Sequence, residues 1–262
     1  MTRKKQPLPL IENVEITGVA AEGKAVCRVD DKVIFVPFAA PGDVADLQII
    51  RKKRNYAEAR IANIHRPSPL RVEPFCPHFG VCGGCKWQHL PYEYQLQFKQ
   101  QQVEDNLVRI GKIALPDIMP IKGSARQRAY RNKLEYTFSN RSWLTPEQMN
   151  DDIVYTDRNA LGFHIPGMFD KVLDIKYCGL QDDISNRIRL DIRAYAIEKG
   201  LEFFDLRAQS GLMRNLIVRT TTTGEVMLIV VFYENRTDAI TDLMQHIADT
   251  FPEITSLLYI VN

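Results

Sequence analysis

The sequence predicts an α+β protein in two parts, a small five-stranded β-barrel over residues 1–66 and a larger α+β domain over 67–262. Three observations carry this reading. Five short alternating runs fill the first 64 residues, strand and helix periodicities mix without a repeating βαβ order after residue 90, and Arg66-Pro-Ser-Pro69 breaks the chain between the two regions. At 262 residues each part can bury a core without disulfides. The 45% hydrophobic and 25% charged content is ordinary for a folded chain. No apolar stretch reaches the roughly 20 residues of a membrane-spanning helix. The basic start, Met1-Thr-Arg-Lys-Lys-Gln, runs into Pro7 to Leu10 rather than an apolar core, which is not a secretory signal. A cytoplasmic monomer without membrane contact is expected.

The barrel strands are predicted over 14–20, 24–29, 32–38, 44–51 and 56–64, with breaks at Asp30-Asp31 and Pro41-Gly42-Asp43. Five strands in so short a span suit a closed or nearly closed barrel of the oligonucleotide-binding kind. Charge points the same way. Residues 1–66 carry 12 Lys and Arg against 8 Asp and Glu, and the remainder 22 against 24. Arg51-Lys-Lys-Arg54, followed by Tyr56 and Arg60, concentrates cations where a polyanion could dock, although a solvated charge run has the same composition.

Beyond the boundary, a helix over 92–111 is predicted from Leu96, Val103, Leu107 and Ile110 on one face, with Gly111 as its stop. Residues 126–139 alternate as a strand, and 140–160 read as a polar connection. A strand over 171–177 delivers Cys178. Leu180, Ile184, Ile188, Ile192 and Tyr195 then mark a helix ending near Gly200. A hairpin over 212–220 and 225–233 turns at Thr-Thr-Thr-Gly224; an amphipathic helix over 238–250 and an apolar strand over 254–261 complete the order.

Three of the five cysteines lie in one glycine-rich run, Cys76-Pro-His-Phe-Gly-Val-Cys82-Gly-Gly-Cys85. Spacings of five residues and then two allow three thiolates to converge, and Gly80, Gly83 and Gly84 permit the tight turns of a chelating loop. Cys178 would add a fourth sulfur, whereas Cys27 reads as a buried strand residue. A buried thiol is the plainer reading of Cys178 taken by itself. Zinc and iron-sulfur clusters both accept four thiolates; one triplet with a distant fourth ligand tilts the choice towards a cluster. His78 is the one histidine placed to compete as a ligand. Asp174-Ile-Lys-Tyr-Cys178-Gly179 lacks the second glycine of a nucleotide-cofactor loop, and Gly162 to Gly167 is interrupted by Pro166, so neither is taken as a cofactor site.

The order of barrel, Cys-x5-Cys-x2-Cys loop, helix, Tyr130-Arg-Asn-Lys133, Leu161-Gly-Phe163 and distant cysteine resembles the N-terminal part of the 23S ribosomal RNA (uracil-5-)-methyltransferases. The resemblance implies that the barrel is an RNA-binding TRAM domain and that Cys76, Cys82, Cys85 and Cys178 hold a 4Fe-4S cluster, with zinc as the alternative metal. It also implies S-adenosylmethionine as cofactor only in the full-length enzyme. The family's nucleophilic cysteine and base lie in a C-terminal class I methyltransferase domain. That domain is expected to be absent from this chain, leaving it truncated and inactive, so no catalytic residue is assigned. The expected partner is RNA, ribosomal ahead of transfer RNA. The contacts assigned to it are Lys24, Arg51, Lys52, Lys53, Arg54 and Arg60 on the barrel, with Arg131 and Lys133 beyond it. The alternative is a stand-alone RNA-binding module with structural zinc.

Overall fold

The computed structural model describes residues 8–145, 148, 149, 155 and 157–262, in two compact units. The first comprises Met1–Phe75 and Cys85–Ala125, the second Cys76–Gly84 and Arg126–Asn262. The expected division at residue 66 differs in assigning 67–75 and 85–125 to the later part. Residues 1–7 and, within the polar connection expected over 140–160, residues 146, 147, 150–154 and 156 lie outside the described residues. Among the described residues no helix is long and apolar enough to cross a membrane.

The first unit holds a six-stranded sheet, correcting the expected five. Its strands are β1 (Leu10–Glu15), β2 (Gly18–Val19), β3 (Lys24–Val29), β4 (Lys32–Pro37), β5 (Val44–Lys52) and β6 (Tyr56–Arg66). They run in the order β1-β5-β6-β4-β3-β2, with β4 and β6 parallel and the other pairs antiparallel. The first predicted strand splits because Ile16 turns a corner. Its N–H donates to the Asp43 carbonyl at 2.9 Å, and its own carbonyl accepts from Gly42 N–H at 2.8 Å, so β1 pairs with β5 while β2 pairs with β3. Asp30 and Asp31 both have positive φ, the geometry of a two-residue hairpin turn. Alternation buries Ala25, Cys27, Ile34, Val36, Leu47, Ile49, Ala57 and Ala59 in one cluster. Cys27 is therefore a core residue, and burial pushes its thiol up to about 11.

One buried carboxylate pins this unit. Asp43 accepts hydrogen bonds from Ala40 N–H at 2.7 Å and Ser68 N–H at 2.8 Å, and from Arg71 Nε and Nη2 at 2.8 and 2.6 Å. Burial alone would raise its pKa, but the bonds from Arg71, Ala40 and Ser68 outweigh that effect and leave it below the ordinary carboxylate value. The Arg66-Pro-Ser-Pro69 break is thus tied back onto the barrel.

In the same unit, helix α1 (Tyr92–Asp105) ends in a π-helical turn at Asn106–Ile110. The expected apolar face is only partly covered: Leu96 and Leu107 are half-buried, whereas Val103 and Ile110 are exposed. The segment after Gly111 docks through polar bonds instead, Ile121 N–H to Gln100 Oε1 and Ser124 N–H to Tyr92 Oη, each at 2.8 Å.

The second unit is built on a six-stranded sheet in the order β12-β11-β10-β7-β8-β9. These strands are β7 (Lys133–Ser139), β8 (Ala160–Ile165), β9 (Met168–Asp174), β10 (Met213–Thr220), β11 (Val226–Phe232) and β12 (Ile254–Val261). Helix α2 (Ile184–Glu198) buries Ile188, Ile192 and Ala196, and α3 (Thr237–Thr250) buries Ile240, Leu243 and Ile247. Only β12 is parallel to its neighbour, because α3 carries the chain back across the sheet. Two strand expectations are corrected. Residues 126–132 are not strand: Ala129 has positive φ, and Ala129 and Arg131 donate their N–H groups to the Gly179 and Leu180 carbonyls. The run expected over 171–177 begins earlier, at Met168, and leaves the sheet after Asp174. At Gly162 a Cβ would overlap the Leu173 carbonyl oxygen, so the glycine of Leu161-Gly-Phe163 permits the close approach of β8 and β9.

Replacing Asp43 by Ala should lower stability by about 3 kcal/mol at neutral pH, because it leaves the part-buried Arg71 guanidinium without its partner. Urea unfolding midpoints would measure this. A depressed pKa contributes stability that is complete above the unfolded value, about 3.9, and is lost as pH falls through the folded one. Wild type and Asp43→Ala should therefore converge in stability under strong acid.

Candidate metal centre and nucleic-acid interface

The cysteine loop is built by local turns. Phe79 N–H donates to the Cys76 carbonyl at 3.1 Å, Cys82 N–H to the His78 carbonyl at 2.9 Å, and Gly80 takes φ +88°. Gly84 N–H donates to Cys82 Sγ at 3.4 Å. A Cβ on Gly83 would press on the His164 carbonyl oxygen at 3.2 Å and on Pro166, so this part of the loop lies against the β8–β9 turn.

His78 anchors the loop near the fourth cysteine. Lys176 N–H donates to His78 Nε2 at 3.0 Å, two residues before Cys178. Burial, then the positive charges of Arg189 and Lys176, lower the His78 pKa and hold it neutral, as an accepting nitrogen requires. Its Nε2 is spent on that tether, and the competing reading of His78 as a ligand gains nothing from this geometry.

Cys178 is buried where β9 has left the sheet. Asn186 on α2 holds it in both directions: Cys178 N–H donates to Asn186 Oδ1 at 2.8 Å, and Asn186 Nδ2 donates to the Cys178 carbonyl at 3.1 Å. One turn along, Arg189 donates through Nη1 to the Ile175 carbonyl and through Nη2 to Asn186 Oδ1, the latter at 3.4 Å. Sequence reasoning assigned no role to Asn186 or Arg189. Their spacing of three along a helix that follows the cysteine was the available signal. Asp174, in the rejected cofactor loop, accepts from Arg193 Nε at 2.8 Å and Leu161 N–H at 3.0 Å, a structural role.

Four cysteines are a soft donor set that suits thiolate-loving metals. Cys76, Cys82 and Cys178 belong to the second unit, and Cys85 opens the return of the chain to the first. Among the described residues no three His, Cys, Asp or Glu side chains form a ready metal cluster. The observation that fits a bound group is a donor left over on the side chain that shares Asn186 Oδ1 with Cys178: Arg189 Nε is buried with no hydrogen-bond partner.

On the barrel, Lys24 and Arg51 flank one carboxylate, Glu58, at 4.0 and 3.9 Å. Lys52, Lys53, Arg54 and Arg60 are exposed beside them, at the β5 end, in its turn and on β6. Phe35 and Tyr56 pack edge to face with centroids 5.7 Å apart on the outward parity of β4 and β6. Phe35 went unassigned in the sequence, although its parity, opposite to core residues Ile34 and Val36, marked it as outward. Arg131 and Lys133 are exposed in the second unit, Lys133 opposite Arg219 across β7 and β10.

Loss of the Asn186 clamp removes two hydrogen bonds to the backbone of Cys178, worth about 0.5–1.5 kcal/mol each. Asn186→Ala is expected to lower the urea midpoint clearly.

A TRAM domain profile matches residues 11–62. A Bacteroides thetaiotaomicron protein described as an uncharacterized RNA methyltransferase is 60% identical over 247 residues, 93% of this chain and 54% of that protein. One of the same description from Porphyromonas gingivalis is 55% identical over 95% of this chain and 55% of its own length. The chain thus spans about half the length of the curated relatives it matches. The crystal structure of Pyrococcus abyssi tRNA (uracil-54, C5)-methyltransferase with S-adenosyl-L-homocysteine superposes with a TM-score of 0.62 at 23% identity, over 95% of this chain and 51% of that one, a likeness of fold. These matches correct the expectation of a truncated, inactive module. What aligns, over 93–95% of the chain, is sequence shared with proteins described as methyltransferases, and neither a missing domain nor inactivity follows from where the chain stops. Residues 11–62 match the TRAM domain, and over 93–95% of its length the chain is similar to proteins described as RNA methyltransferases.

Proposed function

We propose that the protein serves S-adenosylmethionine-dependent methylation of RNA at uracil C5, with ribosomal RNA as substrate. The observation that carries this is the outward face of the TRAM barrel, where Lys24, Arg51, Lys52, Lys53, Arg54 and Arg60 surround the Phe35–Tyr56 pair, in a chain 60% identical to a protein described as an RNA methyltransferase. Cations along a strand end neutralise phosphates, and aromatic faces stack on unpaired bases. Arg131 and Lys133 extend the RNA contacts to the second unit. Support for the cofactor comes from the structural neighbour, which was solved with S-adenosyl-L-homocysteine, the product that remains once the methyl group has left. Deletion of the gene, followed by mass-spectrometric mapping of 5-methyluridine, tests the reading. One 5-methyluridine should disappear from ribosomal RNA. Loss from transfer RNA alone would reassign the substrate, and unchanged modification in both would overturn the proposal.

Cys76, Cys82, Cys85 and Cys178 are proposed to bind a 4Fe-4S cluster that ties the loop to the segment after β9. No electron need move in a uracil C5 methylation, so a structural clamp is the economical role. Protein purified without oxygen should contain about four irons and four sulfides per chain. One zinc without sulfide would replace the cluster by a structural zinc, and no metal would remove the centre.

RNA binding should depend steeply on salt. Changing Arg51, Lys52, Lys53 and Arg54 together to Ser should weaken binding about tenfold or more at moderate salt. It should also flatten the slope of log affinity against log salt by about 0.7 for each single-strand phosphate that is no longer neutralised. Phe35→Ala should weaken binding while leaving that slope unchanged, because stacking releases no counterions.

A further inference from the structure

Arg189 is fully buried, at 0% exposure, and is a permanent cation. Among the described residues no Asp or Glu forms an ion pair with it; the nearby carboxylate of Asp174 is engaged by Arg193 at 2.8 Å. Its bonds go to neutral oxygens, the Ile175 carbonyl and Asn186 Oδ1, and its Nε is left unsatisfied. Further compensation comes from Tyr136, whose ring lies 5.5 Å from the guanidinium carbon. A cation–π contact offsets only a small part of the cost of desolvating an ion. A buried charge of this kind persists when a counter-charge is near, and the atom that Arg189 shares with Cys178, Asn186 Oδ1, puts the cation beside the cysteine's backbone.

We propose that Arg189 is the built-in counter-charge of an anionic, thiolate-ligated centre at Cys178. It acts as a positioning residue that fixes the Cys178 segment through Asn186 and Ile175 and sets the electrostatic potential at the centre. This rests on the metal reading given above. Thiolate-bound 4Fe-4S and zinc centres both carry net negative charge, and a reduced cluster carries one charge more than an oxidised one. A fixed cation at close range therefore favours the reduced form and raises the midpoint potential, as net charge and burial do for such clusters generally.

The test uses the whole chain, purified anaerobically, with Arg189→Gln, which keeps a hydrogen-bond donor and removes the charge, and Arg189→Lys, which keeps the charge. Redox titration by electron paramagnetic resonance should give Arg189→Gln a midpoint potential more negative than wild type, with Arg189→Lys close to wild type. Iron loss to a chelator should be several-fold faster in Arg189→Gln. Wild type that holds a cluster whose potential is the same in Arg189→Gln would overturn this inference and leave the metal reading intact. Wild type that takes up neither iron and sulfide nor zinc would overturn both. Should the wild-type centre be zinc, chelator release alone decides, and equal rates in wild type and Arg189→Gln would refute the counter-charge.

Discussion

The grip of Asn186 on Cys178 is the constraint on which the second unit's functional end depends. When β9 leaves the sheet after Asp174, Ile175 and Cys178 stay buried without ladder partners, while Lys176 and Tyr177 turn to the surface, and buried peptide groups must be paired. The first turns of α2 supply the partners. Asn186 takes both backbone groups of Cys178, and Arg189 takes the Ile175 carbonyl. The 129–131 segment then lies along Gly179 and Leu180, which is why its N–H groups are spent there rather than in a strand. One helix end therefore fixes where the fourth sulfur sits, and His78 brings the cysteine loop to the same place.

The first unit solves a different problem with similar means. A barrel this small has little core, and its buried cluster consists of Ala, Val, Ile and Leu with Cys27 and no large aromatic ring. Asp43 compensates by tying the corner at Ala40, the outgoing segment at Ser68 and the Arg71 side chain to one carboxylate. With the inside held in this way, the outside is free to carry charge. The two cations sharing Glu58 leave a net positive patch around an aromatic pair, a surface suited to a flexible, phosphate-rich chain rather than to a protein core.

The relatives are described as RNA methyltransferases, and this chain matches about half of each. Within it, hydrogen bonds from Asn186 hold the Cys178 segment in place, and Lys24 and Arg51 gather at Glu58 on the first unit's sheet.

Much of this was legible in the residues because it is local. Period-two alternation located the barrel strands and their buried face, the Asp30-Asp31 turn followed from its chemistry, and Ile240, Leu243 and Ile247 declared α3 through their helical spacing. The cysteine triplet stood out for the same reason. What pairs with what did not. That β1 and β2 part company at Ile16, that 126–132 prefers the Gly179 and Leu180 carbonyls to a strand neighbour, and that part of the apolar stripe on α1 stays exposed are decided by partners distant in the chain. The sequence by itself determined most of the helices and strands and which side chains carry thiol or charge. Only the tertiary structure decided that Asn186 and Arg189 attend Cys178, because hydrogen-bond partners and counter-charges for buried groups are chosen by proximity in space.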